Sequence, residues 1–190
     1  MYIFRHRVIV FFLSLTLLSI LVLGGSSIAF ADSTTGTATV TAGTLTEANA
    51  TTPAVSSTLN GTDQTATYTL AITANDATGS GSGWNLTITS TQFTTGGTTP
   101  KTLATTASSL TAVTQACAGG TCTAPTNAIT YPAAVPAAAT APTAVKFYNA
   151  AAATGMGKFT ITPTIGVTIP ANTYAGSYTS TITLAVVSGP

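Results

Sequence analysis

The chain has 190 residues, of which 45% are hydrophobic and only 5% are charged. Once residues 1–31, with both arginines and the single histidine, are set aside, three lysines and four acidic residues give a net charge of −1. Three scattered lysines exclude the phosphate contacts of a nucleic-acid-binding protein and the basic patch of a membrane-surface protein.

Residues 1–31 have the pattern of a signal peptide. Arg5 and Arg7 form a cationic start, an apolar run covers residues 8–23, and Ala29-Phe30-Ala31 supplies the small residues that a signal peptidase recognises. The apolar run is shorter than the roughly 20 residues that span a bilayer. We therefore expect export and cleavage after Ala31, with a membrane contact through this segment only in an uncleaved chain.

Residues 32–190 are rich in threonine, whose β-branched carbon favours strands over helices. Apolar and polar residues alternate with a period of two over several segments, which predicts strands at 35–47, 64–75, 84–89, 157–169 and 178–187. The fold class we predict is all-β, a single antiparallel β-sandwich. We expect residues 64–75 to form a hairpin with the strand at 84–89, and Pro163 to mark an edge, a bulge or a strand break.

The segment at 35–47 puts Ala38, Val40, Ala42 and, past the interruption at Gly43, Leu45 at inward positions of the first predicted strand. The segment at 64–75 puts a second apolar set on one face, namely Ala66, Tyr68, Leu70 and Ile72.

Cys117 and Cys122 lie in a stretch, 114–143, that we predict to be a loop-rich excursion from the sandwich. Two cysteines separated by Gly119-Gly120 in an exported chain favour a disulfide that closes a short loop. Free thiols are the alternative. A metal is not expected, because two thiolates without a histidine leave a zinc site half built.

Titratable groups suited to catalysis are scarce after residue 31, because histidine is missing and only four carboxylates and three lysines are present. Asp63 and Asp76 both lie in predicted turns, where an aspartate side chain bonds its own backbone. We therefore expect no enzyme activity, no catalytic residue and no cofactor.

Trp84 is the only tryptophan, and it stands at a predicted strand start beside a Gly/Ser-rich loop. Two interpretations are open. The ring plugs one end of the sandwich core, where a large aromatic side chain contributes much of the burial. Alternatively, the ring is half exposed at the loop end and stacks on a sugar.

Three segments carry a family resemblance. Residues 83–89 with Gln92-Phe93 resemble the first motif of the WxL-domain family, residues 36–45 its opening strand and residues 176–190 its C-terminal motif. The family's second Trp-x-Leu is replaced here by Leu184-Ala185-Val186. The members are exported proteins of Gram-positive and related bacteria that attach non-covalently to the cell wall through peptidoglycan.

The resemblance implies a WxL-like sandwich at the bacterial cell surface that binds peptidoglycan or another surface glycan, with Trp84, Asn85 and Leu86 as the contact residues. Composition favours an alternative, a structural or adhesive subunit. Such a subunit would assemble with itself or with other surface proteins through strand edges, because the charged residues that usually block edge pairing are scarce.

Overall fold

The computed structural model describes residues 33–49 and 53–190, and this part of the chain holds ten strands and no helix. The predicted signal peptide and its cleavage site lie outside the described residues. The strands are β1 (Leu45–Asn49), β2 (Gln64–Thr69), β3 (Ile72–Asp76), β4 (Trp84–Thr91), β5 (Ser108–Gly119), β6 (Ala133–Ala134), β7 (Ala137–Ala138), β8 (Val145–Ala150), β9 (Gly157–Ile169) and β10 (Ile182–Ser188). They form two sheets whose inward faces share one core, which confirms the all-β sandwich.

The first sheet is built around β9. β5 pairs along one edge of β9, while β2 and β3 follow one another along its other edge; β6 lies beyond β5 and β1 beyond β3. As the alternation predicts, Phe159, Ile161, Ile165 and Val167 of β9 are buried in the core. The threonines between them lie on the opposite face of the sheet.

Pro163 lies in the middle of β9, where it cannot donate a ladder hydrogen bond. Its carbonyl oxygen accepts from the backbone N–H of Leu70 at 3.2 Å, so its nitrogen faces that same edge. At this point β2 has ended and β3 has not yet begun. The N–H that Pro163 lacks would thus face the gap between β2 and β3. The strand break lies between these two neighbours, and β9 itself is continuous.

The second sheet is built around β4. β10 pairs along one edge of β4, and β8 and β7 pair along the other. The pairs are antiparallel except for β4 and β7, which run parallel over two residues each. Among the described residues β10 pairs with β4 alone, so no described strand is hydrogen-bonded to its other edge.

The predicted hairpin between residues 64–75 and the strand at Trp84 is wrong. This segment forms β2 and β3 of the first sheet, whereas β4 belongs to the second, so residues 77–83 cross between the sheets. Asp76 turns the chain out of β3, because its carboxylate accepts from the backbone N–H of Thr78 at 3.0 Å. Alternation has the same period in a hairpin and in a crossing, and so it does not distinguish them.

Two predicted boundaries also need correction. Residues 33–44 form no strand, and Ala38, Val40 and Ala42 are exposed, so β1 begins only at Leu45. The loop-rich excursion predicted at 114–143 starts later, because β5 continues to Gly119 and remains paired with β9, with a register shift between Cys117 and Gly119.

Candidate functional site

Trp84 is completely buried at the first position of β4. Its indole Nε1 donates to the carbonyl oxygen of Gly155 at 2.9 Å, and its ring centroid lies 5.9 Å from that of Tyr148. The ring fills one end of the core and has its polar atom satisfied there. The structure therefore gives Trp84 the core role, one of the two interpretations left open by the sequence.

Asn85 and Leu86 are buried as well, with 7% and 0% of their surfaces exposed. The Asn85 amide donates to the carbonyl oxygen of Gly189 at 2.7 Å and so ties β4 to the C-terminal residues. A direct glycan contact by Trp84, Asn85 and Leu86 is not supported by this packing, because a sugar would reach the ring only if the core opened.

Cys117 and Cys122 form the predicted disulfide, with 6.0 Å between their Cα atoms. Cys117 lies opposite Phe159 near the end of β5, and the chain after Cys122 runs beside the loop of Gly155 that packs on Trp84. Thr123 holds that returning segment in place, because its N–H donates to Met156 at 2.9 Å and its carbonyl accepts from Gly155 at 2.8 Å. The disulfide thus has a structural position beside the loop that packs on Trp84.

An open groove of about 750 Å³ lies at the opposite end of β4 from Trp84, between β2 of the first sheet and the chain that leads into β10 of the second. β1 ends opposite Ile72, and beyond that point no described strand pairs with the outer edge of β2. The groove is lined by apolar, aromatic and hydroxyl side chains: Pro53, Ala54, Val55, Tyr68, Leu70, Phe93, Ser177, Tyr178, Thr179, Ser180, Thr181, Ile182 and Leu184.

The aromatic side chains of the groove are held in place by packing against buried residues. Tyr68, Phe93 and Tyr178 pack against a small second core of Leu103, Ala107 and Val167. The Tyr178 hydroxyl donates to the carbonyl oxygen of Tyr174 at 2.9 Å, which sets the position of its ring. These rings are half-buried, so each keeps part of its surface open to the groove.

The β10 wall of the groove is held by hydrogen bonds that extend the β4–β10 pairing. Thr94 and Thr179 exchange backbone hydrogen bonds of 3.0 and 2.9 Å, and the N–H of Thr91 donates to the carbonyl oxygen of Thr181 at 2.9 Å. The Ser180 hydroxyl donates to the carbonyl oxygen of Thr91. The polar groups of this wall are therefore positioned by a strand ladder rather than by a free loop.

The described residues that line the groove include no Asp, Glu, Lys, Arg or His. Burial raises the pKa of Tyr68 to about 12, so its phenol is neutral at physiological pH. Lys101 is not part of the lining, and its Nζ lies 4.4 Å from the ring centroid of Tyr174, which is also outside the lining. The groove is thus suited to an uncharged ligand.

The described part of the chain holds no group of three His, Cys, Asp or Glu residues placed to bind a metal ion. Nor does it contain a helix with the length and apolar character needed to cross a bilayer.

A protein-family comparison decides the identity of the fold. The family model described as "WxL domain surface cell wall-binding" matches residues 18–190. The chain belongs to the WxL-domain family. Comparisons with curated proteins and with solved structures found no match.

The two WxL motif segments of this chain are neighbours in the second sheet. Leu86 of the first motif lies opposite Val186, and Ile88 lies opposite Leu184. Leu184, which stands where the WxL family usually carries its second tryptophan, points into the groove. The replaced motif position therefore belongs to the groove, whereas Trp84 of the first motif lies at the other end of the sheet.

The sequence prediction missed the groove. The pattern places Tyr68 with apolar residues on one face of its strand and Phe93 beside the first WxL motif, but nothing in it indicates that these two residues and Tyr178 line one groove. Their one common signal is that aromatic residues here stand next to Thr- and Ser-rich segments without charges.

Proposed function

We propose that this WxL protein is exported through the signal peptide at residues 1–31 and is retained at the cell surface by non-covalent binding of residues 32–190 to peptidoglycan. It acts as a binding module without catalysis. Membership of a surface, cell wall-binding family supports the role. The observation that carries the proposal is the open groove between β2 and β10, whose described lining is partly aromatic and contains no charged side chain.

Charge distribution favours peptidoglycan over the anionic polymers of the wall. Polyanions are held by clustered basic side chains that create a local positive potential. The lysines of residues 32–190 are only Lys101, Lys146 and Lys158, and they are spread over a loop, β8 and β9. Neutral contacts to the wall's main polymer fit this chain better.

Co-sedimentation with purified peptidoglycan stripped of anionic polymers tests the proposal. We expect the purified protein to pellet with intact peptidoglycan and to return to the supernatant once a muramidase has dissolved it. Because the groove is neutral, high salt should leave the bound fraction unchanged. A protein that stays in the supernatant, or that high salt releases, would contradict peptidoglycan binding through neutral contacts.

A second function, a structural or adhesive subunit that assembles through strand edges, is favoured by one observation. β10 pairs on one side only among the described residues, and Ile182–Ser188 contains no charged residue that would block pairing with another strand. Light scattering over a concentration series tests this alternative. Wild-type assemblies that grow with concentration, and that do not form in Val187→Lys, would support the alternative. A wild type that stays monomeric at every concentration would contradict it.

A further inference from the structure

The groove between β2 and β10 has a lining that distinguishes between the two components of peptidoglycan. Stem peptides carry free carboxylates and amines, whereas the glycan chain presents pyranose rings, hydroxyls and acetamido groups. A charged group that leaves water needs a charged or strongly hydrogen-bonding partner. The described lining offers no ionised side chain to serve as that partner.

We propose that this groove binds the glycan chain of the wall polymer and not its peptides. The inference rests on the proposed function and names the component recognised. A pyranose ring has an apolar C–H face, and the half-buried rings of Phe93 and Tyr178 offer apolar surface of matching kind. The volume of about 750 Å³ falls within the range of about 300–1,000 Å³ typical of ligand sites.

Two hydroxyl groups of the groove, those of Thr179 and Ser180, already donate their protons within the protein. Ser180 donates its hydroxyl proton to the carbonyl oxygen of Thr91, and Thr179 donates its own to that of Thr94 at 3.4 Å. Each oxygen then keeps acceptor capacity only. At these two oxygens a ligand has to supply O–H or N–H donors, and the hydroxyls and acetamido N–H groups of an amino-sugar chain provide them.

The test titrates the purified protein with two soluble probes, a chitin oligosaccharide for the glycan chain and a synthetic stem peptide for the other component. Calorimetry measures the affinity. Changes in the NMR chemical shifts of backbone amides locate the binding site. We expect the oligosaccharide to bind and the stem peptide not to bind. Tyr178→Ala should weaken oligosaccharide binding by about tenfold, the effect of losing one ring contact of about 1.4 kcal/mol.

Matched variants separate the groove from the rest of the surface. Tyr174→Ala removes a tyrosine ring that is 64% exposed but lies outside the lining, and it should leave affinity unchanged. If Tyr178→Ala fails to fold, Ala54→Trp blocks the groove from an exposed position outside the strands. Ala152→Trp places the same ring on an exposed turn away from the groove and serves as its control.

The outcomes distinguish this inference from the proposed function. Wild type that pellets with peptidoglycan but does not bind the oligosaccharide, or binds the stem peptide instead, would overturn the inference and leave wall binding intact. Oligosaccharide binding that neither Tyr178→Ala nor Ala54→Trp weakens would also overturn it. Wild type that fails to pellet with peptidoglycan would overturn the proposed function itself.

Discussion

The indole Nε1 of Trp84 and the carbonyl oxygen of Gly155 form a buried hydrogen bond of 2.9 Å between residues that are far apart in the chain. The bond joins the first residue of β4 to the loop between β8 and β9 and closes one end of the sandwich. That loop is held in turn by Thr123, whose carbonyl accepts from the Gly155 N–H. Trp84, which the family resemblance assigned to the wall contact, therefore packs inside the core and holds this end of it together.

Trp84→Phe should destabilise the fold without abolishing wall binding. The substitution removes the N–H that satisfies a buried carbonyl and leaves unfilled volume, which together cost about 2–3 kcal/mol of unfolding free energy. Chemical denaturation measures the loss, and peptidoglycan co-sedimentation under fully folding conditions measures binding. A variant that keeps its stability and loses binding would show that the ring contacts the wall after all.

Gly155→Ala should destabilise the protein more than Gly79→Ala. Both glycines have a positive φ, 73° and 65°, so both substitutions carry backbone strain of about 1–2 kcal/mol. Only at position 155 would the new Cβ also clash with its surroundings, namely with the Cβ of Ala150 and with the Trp84 Nε1 at 2.7 Å, whereas no atom lies within 4 Å at position 79. We expect about 2 kcal/mol of additional loss for Gly155→Ala. Equal losses in thermal unfolding would mean that the loop moves away from the ring without cost.

Much of the fold followed from alternation, and its limits are visible in β3 and β4. The buried faces of residues 64–75 and 157–169 were predicted because a strand places alternate side chains on one side. The pairing was not, because a seven-residue connection at 77–83 can either turn back within a sheet or cross to the other. That choice depends on which faces find each other in the core, a property of the whole chain.

The candidate site was out of reach of sequence reasoning for a similar reason. Tyr68 and Tyr178 are separated by more than half of the chain, and they meet because β2 and β10 are edge strands of different sheets on one flank. Trp84 attracted attention as a single tryptophan, yet rarity alone does not separate a core residue from a contact residue.

Replacing both cysteines by serine should lower stability modestly. The disulfide between Cys117 and Cys122 closes a loop with a sequence separation of 5, for which chain entropy predicts about 2 kcal/mol. Reductant should lower the unfolding free energy of the wild type by the same amount and leave the double variant unaffected. A much larger loss in the variant would indicate that the disulfide also holds the segment around Thr123 on the Trp84 loop.

Alkaline pH should destabilise the protein between pH 10 and 12. Burial raises the pKa of Tyr68 and of Tyr148 to about 12, with a further contribution to Tyr148 from Tyr131. The folded state therefore holds these protons more tightly than the unfolded state, and the stability this gives is complete below pH 10 and is lost as pH rises through the folded pKa. Tyr148→Phe should flatten part of the decline in Tm. A Tm that stays constant from pH 9 to 12 would contradict the argument.

Glu47→Gln should raise stability at neutral pH and leave it unchanged in acid. Glu47 shares the inward face of β1 with Leu45, and its Oε2 is buried without a hydrogen-bond partner in the described structure. Burial raises the pKa of this carboxyl above its ordinary value of 4.5. Because the folded state favours the protonated form, stability declines as pH rises above the pKa that the Glu47 carboxyl has in the unfolded state, and it stays at the lower level at pH 7.

Glutamine removes the charge at nearly constant shape, so we expect Tm to rise by about 2 °C at pH 7 and to match the wild type below pH 4. The measurement at pH 4 is the control, since a packing effect of the new amide would change Tm equally at pH 4 and at pH 7. An equal shift at pH 4 and pH 7, or a loss at pH 7, would mean that the Glu47 carboxylate finds a stabilising partner in solution.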